Sequence, residues 1–129
     1  MNTISRNFEG FDEVHLEELL KSNFKEIGFG VLHEIDFQET LQNKIGKDIG
    51  LYKQLQICNP HLAYEAIQLD PTIGIQLPCN VVIRKEENGL AVDIQSPLDS
   101  IPDNSPKDLR DMAKELTQKI EKLLKEIDN

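Results

Sequence analysis

The dipeptide Asn88-Gly89 separates two runs in which apolar and polar residues alternate, 79–87 and 90–96. Asn-Gly is the preferred pair for a two-residue type I′ turn, so this segment predicts a β-hairpin. A loop of two residues also predicts which residues face each other across the two strands. The predicted pairs are Glu87 with Leu90, Arg84 with Asp93, and Ile83 with Ile94.

The alternation makes one face of this hairpin apolar, and that face is predicted to be buried beneath helices. It carries Cys79, Val81, Ile83, Leu90, Val92 and Ile94. Two amphipathic helices, at 12–27 and 105–127, are predicted to cover it. Gly28 is the expected left-handed residue after the first helix. Ser105 is the expected N-cap of the second, with Pro106 at the first helical position.

Three further strands are predicted at 2–8, 29–36 and 51–58, and short helices at 37–45 and 61–69. The order of elements is then β-α-β-(α)-β-(α)-β-β-α, with no repeat or linker to divide the chain. Two long helices over one face of a mainly antiparallel sheet form a two-layer sandwich of the α+β class. The sequence therefore predicts one domain over residues 1–129.

The chain is acidic, with 23 Asp and Glu against 14 Lys and Arg and a formal net charge of −9. Binding to nucleic acid or to an anionic membrane needs clustered cations, so neither partner is expected. No apolar run approaches the roughly 20 residues that cross a bilayer. The N-terminus also lacks the pattern of a signal peptide. We therefore expect a cytoplasmic protein with reduced cysteines.

Thiol and carboxamide side chains occur together at two bends of the chain, in Cys58-Asn59-Pro60 and in Pro78-Cys79-Asn80. Cys79 is interpreted as a small buried apolar residue. Cys58 ends a strand, and it would be a reactive thiolate if a cation or a helix N-terminus lowered its pKa. With His33 and His61 scattered elsewhere, the cysteines do not complete a zinc signature, so we expect no metal and no cofactor.

Three further polar residues can each be interpreted in more than one way. Asn59 is interpreted as a turn residue or as the N-cap of the helix at 61–69. Asn80 lies in a predicted strand, where asparagine is disfavoured, so it is expected to hold a loop or to contact a ligand. Glu34 is either a general base in a pocket or a solvated or ion-paired carboxylate. His33 is predicted on the apolar face of its strand.

Three segments resemble a known family: EIGFGVLHEID at 26–36, ICNPHLAYEA at 57–66 and IGIQLPCNVVI at 73–83. Their order and spacing are similar to those of the DUF302 family of small bacterial and archaeal proteins. The resemblance implies a curved antiparallel sheet with helices on one side, in the topology of the TATA-binding protein, and a homodimer. It implies no activity. The matching positions are Gly28, Phe29, Gly30, Glu34, Cys58, Asn59, Pro60, Ala63, Pro78, Cys79 and Asn80; His61 is not one of them.

The function predicted from these observations is a homodimeric module that binds a small molecule or a partner protein. Its cleft is expected at Cys58-Asn59-Pro60 and Pro78-Cys79-Asn80, with Glu34 as a further binding residue. The alternative is a thiol-dependent enzyme or redox sensor in which Cys58 is the reactive group. A purely structural dimer is a third hypothesis.

Overall fold

The structure is a computed structural model that describes residues 3–128. Asn2, the predicted first residue of the first strand, lies outside the described residues. The elements are β1 (Thr3–Phe8), α1 (Glu13–Glu26), β2 (Gly30–Asp36), α2 (Phe37–Ile45), β3 (Tyr52–Cys58), α3 (Pro60–Leu69), a first 3₁₀ helix (Pro71–Gln76), β4 (Cys79–Glu86), β5 (Gly89–Gln95), a second 3₁₀ helix (Pro97–Ser100) and α4 (Lys107–Glu126).

The strands form one antiparallel sheet in the order β1-β5-β4-β3-β2. The core lies between one face of this sheet and the helices, and α4 contributes the largest share. Its buried side chains are Leu109, Ala113, Leu116, Thr117, Ile120, Leu123 and Leu124. On the sheet side, the apolar hairpin face predicted above is buried, including Val81, Val92 and Ile94. The predicted α+β two-layer fold is confirmed.

The hairpin exists, but its predicted register is wrong by two residues. Glu86 pairs with Gly89 and Arg84 with Ala91, so the turn residues are Glu87 and Asn88. Gly89 has a φ of 138° and belongs to β5, where a Cβ would overlap the carbonyl oxygen of Phe8 on β1. The glycine is therefore needed for the contact between strands and not for a type I′ turn, which requires positive φ at both turn residues.

A shift of two residues leaves every side chain on its predicted face, because the side-chain period of a strand is two. Arg84 and Asp93 are consequently diagonal neighbours instead of a facing pair. They still form an ion pair, with Nε of Arg84 2.7 Å from Oδ2 of Asp93.

Strand β2 departs from the predicted alternation at a β-bulge. Val31 pairs with Ile57, whereas His33 pairs with Gln56, so Leu32 is an extra residue between them. An inserted residue reverses the faces of all residues after it. His33 is consequently exposed, and its predicted place on the apolar face is wrong. Glu34, which pairs with the buried Leu55, faces the helices.

The predicted helix boundaries are close to the observed ones. Helix α1 ends at Glu26, and Gly28 follows with a φ of +90°, as expected for a left-handed residue after a helix. At α4 the predicted N-cap is wrong: Pro106 occupies that position, and the hydroxyl of Ser105 donates instead to the carbonyl of Pro102. Among residues 3–128, none of the helices combines the length and the hydropathy of a membrane-spanning segment.

Candidate functional site

The first predicted corner, Cys58-Asn59-Pro60, joins the end of β3 to the start of α3. The backbone N–H of Leu62 donates to Oδ1 of Asn59 at 3.0 Å, which makes Asn59 the N-cap of α3, with Pro60 at the first helical position. This confirms the capping interpretation of Asn59. Asn59 and Pro60 therefore have a structural role at this corner, because they begin α3.

Asn59 also lies close to the turn that leads from α1 into β2. A Cβ placed on Gly28 would be 3.0 Å from Nδ2 of Asn59. Such a distance leaves almost no room for a side chain at position 28. The two turns are therefore packed against each other, one before β2 and one after β3.

The second corner, Pro78-Cys79-Asn80, begins β4 beside the first one, because Cys79 pairs with Ile57. Cys58, Asn59, Pro78 and Cys79 line one small cavity of about 10 Å³, together with apolar side chains such as Leu62. That volume is room for about one water molecule. The structure thus brings the two corners together, but the space between them is too small for a metabolite.

The two thiols differ in burial and share the direction of their pKa shift. Cys79 is buried, and its Sγ lies 3.1 Å from Oγ of Ser100 in the second 3₁₀ helix. Cys58 is half-buried. Burial raises the pKa of both thiols, so both favour the neutral form, which is a poor nucleophile.

Asn80 uses its donors on a single partner. Its backbone N–H and its Nδ2 both donate to Oε1 of Gln95 on β5, at 3.1 and 3.3 Å. Its own Oδ1 is buried and accepts no hydrogen bond from any residue in the range 3–128. Asn80 therefore holds Gln95, the last residue of β5, and not a loop, whereas its contact with a ligand stays a prediction.

Gln95 leads from this corner to a second and much larger cavity. This cavity, the polar cleft, has a volume of about 580 Å³ and lies between the two 3₁₀ helices. Its lining residues are Asp70, Thr72, Ile73, Gln76, Gln95, Leu98, Asp99, Ile101, Pro102, Asp103 and Asn104. The sequence did not indicate this cleft, since no helix or strand is predicted for either of the two segments.

The walls of the polar cleft are ordered by local hydrogen bonds. At the start of the first 3₁₀ helix, the hydroxyl and the backbone N–H of Thr72 donate to Oδ1 of Asp70 at 2.7 and 3.0 Å. These two bonds lower the pKa of Asp70. The second wall is attached to the core by the contact between Sγ of Cys79 and Oγ of Ser100. Ser100 lies between the lining residues Asp99 and Ile101.

Glu34 is placed apart from both corners. It is opposite Leu55, three residues before Cys58 on β3 and so roughly 10 Å along the strand. Its carboxylate is ion-paired with Lys21 of α1, which also contacts Glu17 at 2.9 Å. Of the readings given above, the ion-paired carboxylate is the one that this geometry matches.

Among residues 3–128 there is no group of three or more His, Cys, Asp or Glu side chains that could hold a metal ion. His61 is the second residue of α3 and His33 is exposed on β2, and neither forms such a group with the cysteines.

Comparison with known proteins gives a family and a fold. The chain is similar to a solved structure described as an uncharacterized conserved DUF302 protein from Bacillus stearothermophilus. The two are 22% identical, each is covered over 97% of its length, and the TM-score is 0.81. No curated protein matches the chain. The family of unknown function DUF302 matches residues 3–127, which is almost the whole length, and this protein therefore belongs to the DUF302 family.

Proposed function

We propose that this protein is a binding module that holds a small molecule in the polar cleft and has no catalytic chemistry of its own. The observation that carries the proposal is the cleft itself, whose volume of about 580 Å³ falls in the range of about 300–1,000 Å³ usual for ligand sites. Its lining combines amide, hydroxyl and carboxylate groups with a smaller apolar part, so it offers several hydrogen-bonding partners to a polar ligand.

In this proposal the second corner frames the cleft instead of lining it. Asn80 fixes the carboxamide of Gln95, which is a wall residue, through two hydrogen bonds to Oε1. Cys79 packs against Ser100 and so supports the opposite wall. The first corner, Cys58-Asn59-Pro60, lies behind Cys79 and acts by packing. The residues of the two corners are thus positioning residues.

The alternative function, a thiol-dependent enzyme or redox sensor, gains less support from this geometry. A reactive thiolate needs a lowered pKa, whereas burial raises the pKa of Cys58. The cavity beside it holds about one water molecule. A substrate would reach the sulfur only after the corner had rearranged.

We also propose that the protein is a homodimer in the cytoplasm. Three large apolar side chains on and near β2 and α2 are exposed in the single chain: Leu32, Ile45 and Ile49. Burying them against a second copy would remove that apolar area from water. Both cysteines are free thiols, as in reducing compartments. Light scattering coupled to size-exclusion chromatography tests the dimer, and a mass near 14.7 kDa would contradict it.

The binding proposal is tested by NMR titration of ¹⁵N-labelled protein with a metabolite library. We expect at least one compound to shift the amide signals of Thr72, Gln95 and Asp103 together. The substitution Gln95→Ala should weaken the binding of that compound, whereas Gln54→Ala should leave its affinity unchanged. Gln54 is a matched control because it lies on the same sheet face but does not line the cleft. If no compound in the library shifts the signals of the cleft, and the protein is shown to be folded, the proposal is wrong.

A further inference from the structure

We propose that the ligand of the polar cleft is an organic cation, a molecule that carries amine or guanidinium groups on a short hydrocarbon chain. This inference rests on the proposed function and adds the chemical class of the ligand. It depends on the charge of the lining, the spacing of the carboxylates, the apolar part of the wall and an acceptor atom behind Gln95.

The charge of the lining has one sign. Three of the lining residues are aspartates, Asp70, Asp99 and Asp103, and none of the lining residues is Lys or Arg. Hydrogen bonds from Thr72 lower the pKa of Asp70, so this carboxyl group stays ionised at neutral pH. The net charge of −9 adds a field of the same sign around the molecule. A cationic ligand is attracted by this field and an anionic ligand is repelled.

The positions of the carboxylates favour an extended cation over a metal ion. Calcium and magnesium need several oxygen ligands that converge on one point. Asp70, Asp99 and Asp103 do not converge, since residues 3–128 contain no group of three acidic, thiol or imidazole side chains that could hold a metal. Asp70 and Asp103, which belong to different walls of the cleft, can instead each receive an N–H group of one longer molecule.

The apolar part of the lining suits the hydrocarbon between such groups. Ile73 and Ile101 are buried residues at the wall of the cleft, and Leu98 and Pro102 extend the same surface. A chain of methylene groups gains free energy when it leaves water for such a surface, whereas a hydrated inorganic ion gains none. The lining therefore matches both parts of an alkylamine.

The fourth observation is independent of the carboxylates. Oδ1 of Asn80 is buried and accepts no hydrogen bond among the described residues. It stands next to the contact that Asn80 makes with Gln95, a residue of the cleft wall. A buried acceptor without a hydrogen bond gains more free energy from a new donor than an acceptor that is already bonded to water. Ammonium and guanidinium groups bring donors and no acceptors, so their chemistry is complementary to this acceptor as well as to the carboxylates.

The test uses three probes with the same four-carbon backbone: putrescine, which is a dication, butane-1,4-diol, which is neutral, and succinate, which is a dianion. Each is titrated into ¹⁵N-labelled protein at low ionic strength, and agmatine is added as a guanidinium probe. We expect putrescine and agmatine to shift the amide signals of Thr72, Gln95 and Asp103. The diol and succinate should not.

Charge-removing variants separate a site from general attraction to an acidic protein. Asp103→Asn should weaken the binding of putrescine about 3- to 10-fold, as expected for the loss of one partly exposed charge pair. Glu18→Gln removes the same charge from an exposed position on α1 and should leave the affinity unchanged. Equal weakening by both variants would overturn the inference.

The remaining outcomes distinguish this inference from the proposed function. Shifts at the cleft with the diol or succinate, at least as strong as with putrescine, would refute a cationic ligand and leave a binding cleft in place. Equal shifts with magnesium chloride at matched ionic strength would show that only charge is sensed, and would also refute it. If neither cationic probe shifts the cleft, the inference fails, and the metabolite library then decides the proposed function separately.

Discussion

Arg6 donates a hydrogen bond from Nη1 to the backbone carbonyl of Leu124 at 2.7 Å, which joins the edge strand β1 to the last turn of α4. The same nitrogen contacts the carbonyl of Ile127 at 2.8 Å, and the guanidinium lies 4.1 Å from the ring centroid of Phe8. A cation here satisfies carbonyls that have no partner within the helix and offsets the negative end of its dipole.

We expect Arg6→Ala to lower the free energy of unfolding by about 1.5–3 kcal/mol, as measured by urea denaturation. Arg6→Lys should recover only part of the loss, because an ammonium cannot both reach these carbonyls and stack on Phe8 in the same way. Arg110→Ala, at an exposed position of α4, is the control and should change stability by less than about 0.5 kcal/mol. A loss of the same size in both alanine variants would contradict the assigned role.

Gly28 is a position at which a single methyl group is expected to destabilise the fold. Its φ of +90° disfavours any residue with a Cβ, and that Cβ would be 3.0 Å from Nδ2 of the capping residue Asn59. We expect Gly28→Ala to destabilise the protein by about 1–3 kcal/mol in thermal or urea unfolding.

Gly30 provides the matched control for that substitution. It lies two residues further along, has no positive φ, and a Cβ there would meet nothing within 4 Å. Gly30→Ala should therefore be neutral or stabilise by up to about 1 kcal/mol, through the reduced entropy of the unfolded chain. If both alanine variants had equal stability, the packing between the two turns would not be limiting.

The parts of the fold that local patterns determine could be predicted from the sequence. The apolar period of α4 and the alternation of β4 and β5 identify those elements because each follows from one-dimensional spacing. The hairpin register could not be predicted in the same way. Gly89 is required by its contact with Phe8, a residue that is distant in sequence. The bulge at Leu32 likewise left no mark in the alternation of β2.

The candidate site was less predictable, for a related reason. The sequence indicated the two corners, and their mutual contact is observed, since Cys58 and Cys79 line one cavity. It did not indicate the polar cleft, whose walls are two short 3₁₀ helices. The available signal was Asp70-Pro71-Thr72, an acidic cap before a proline, which predicts a helical turn at that point. Nothing local shows that this turn faces the segment at 97–104.

The pair of Asp93 and Arg84 should make stability depend on pH. Burial alone would raise the pKa of Asp93, but the ion pair with Arg84 and the hydrogen bond from Ser5 outweigh it and lower the pKa. A carboxyl group whose pKa is lowered by folding stabilises the protein at pH values above its pKa in the unfolded chain, about 3.9. This stabilisation is lost as the pH falls through the pKa of the native state.

We therefore expect Asp93→Asn to cost about 1 kcal/mol at pH 7 and progressively less below pH 4, as measured by urea unfolding at several pH values. Asp111→Asn breaks the exposed pair with Lys107, which is 3.0 Å long, and should have almost no effect at any pH. A cost for Asp93→Asn that did not change with pH would show that the ion pair is not its source.

The reactivity of Cys58 tests the alternative function directly. Because burial raises the pKa of this thiol, its thiolate fraction at pH 7 should be below that of a free cysteine. In a Cys79→Ser variant, which keeps a hydrogen-bonding group beside Ser100, iodoacetamide should react with Cys58 more slowly than with a cysteine peptide. The rate should still rise above pH 9, with no plateau near neutrality. A midpoint below about 7.5 would instead reveal an activated thiolate and favour the thiol-dependent enzyme over a binding module.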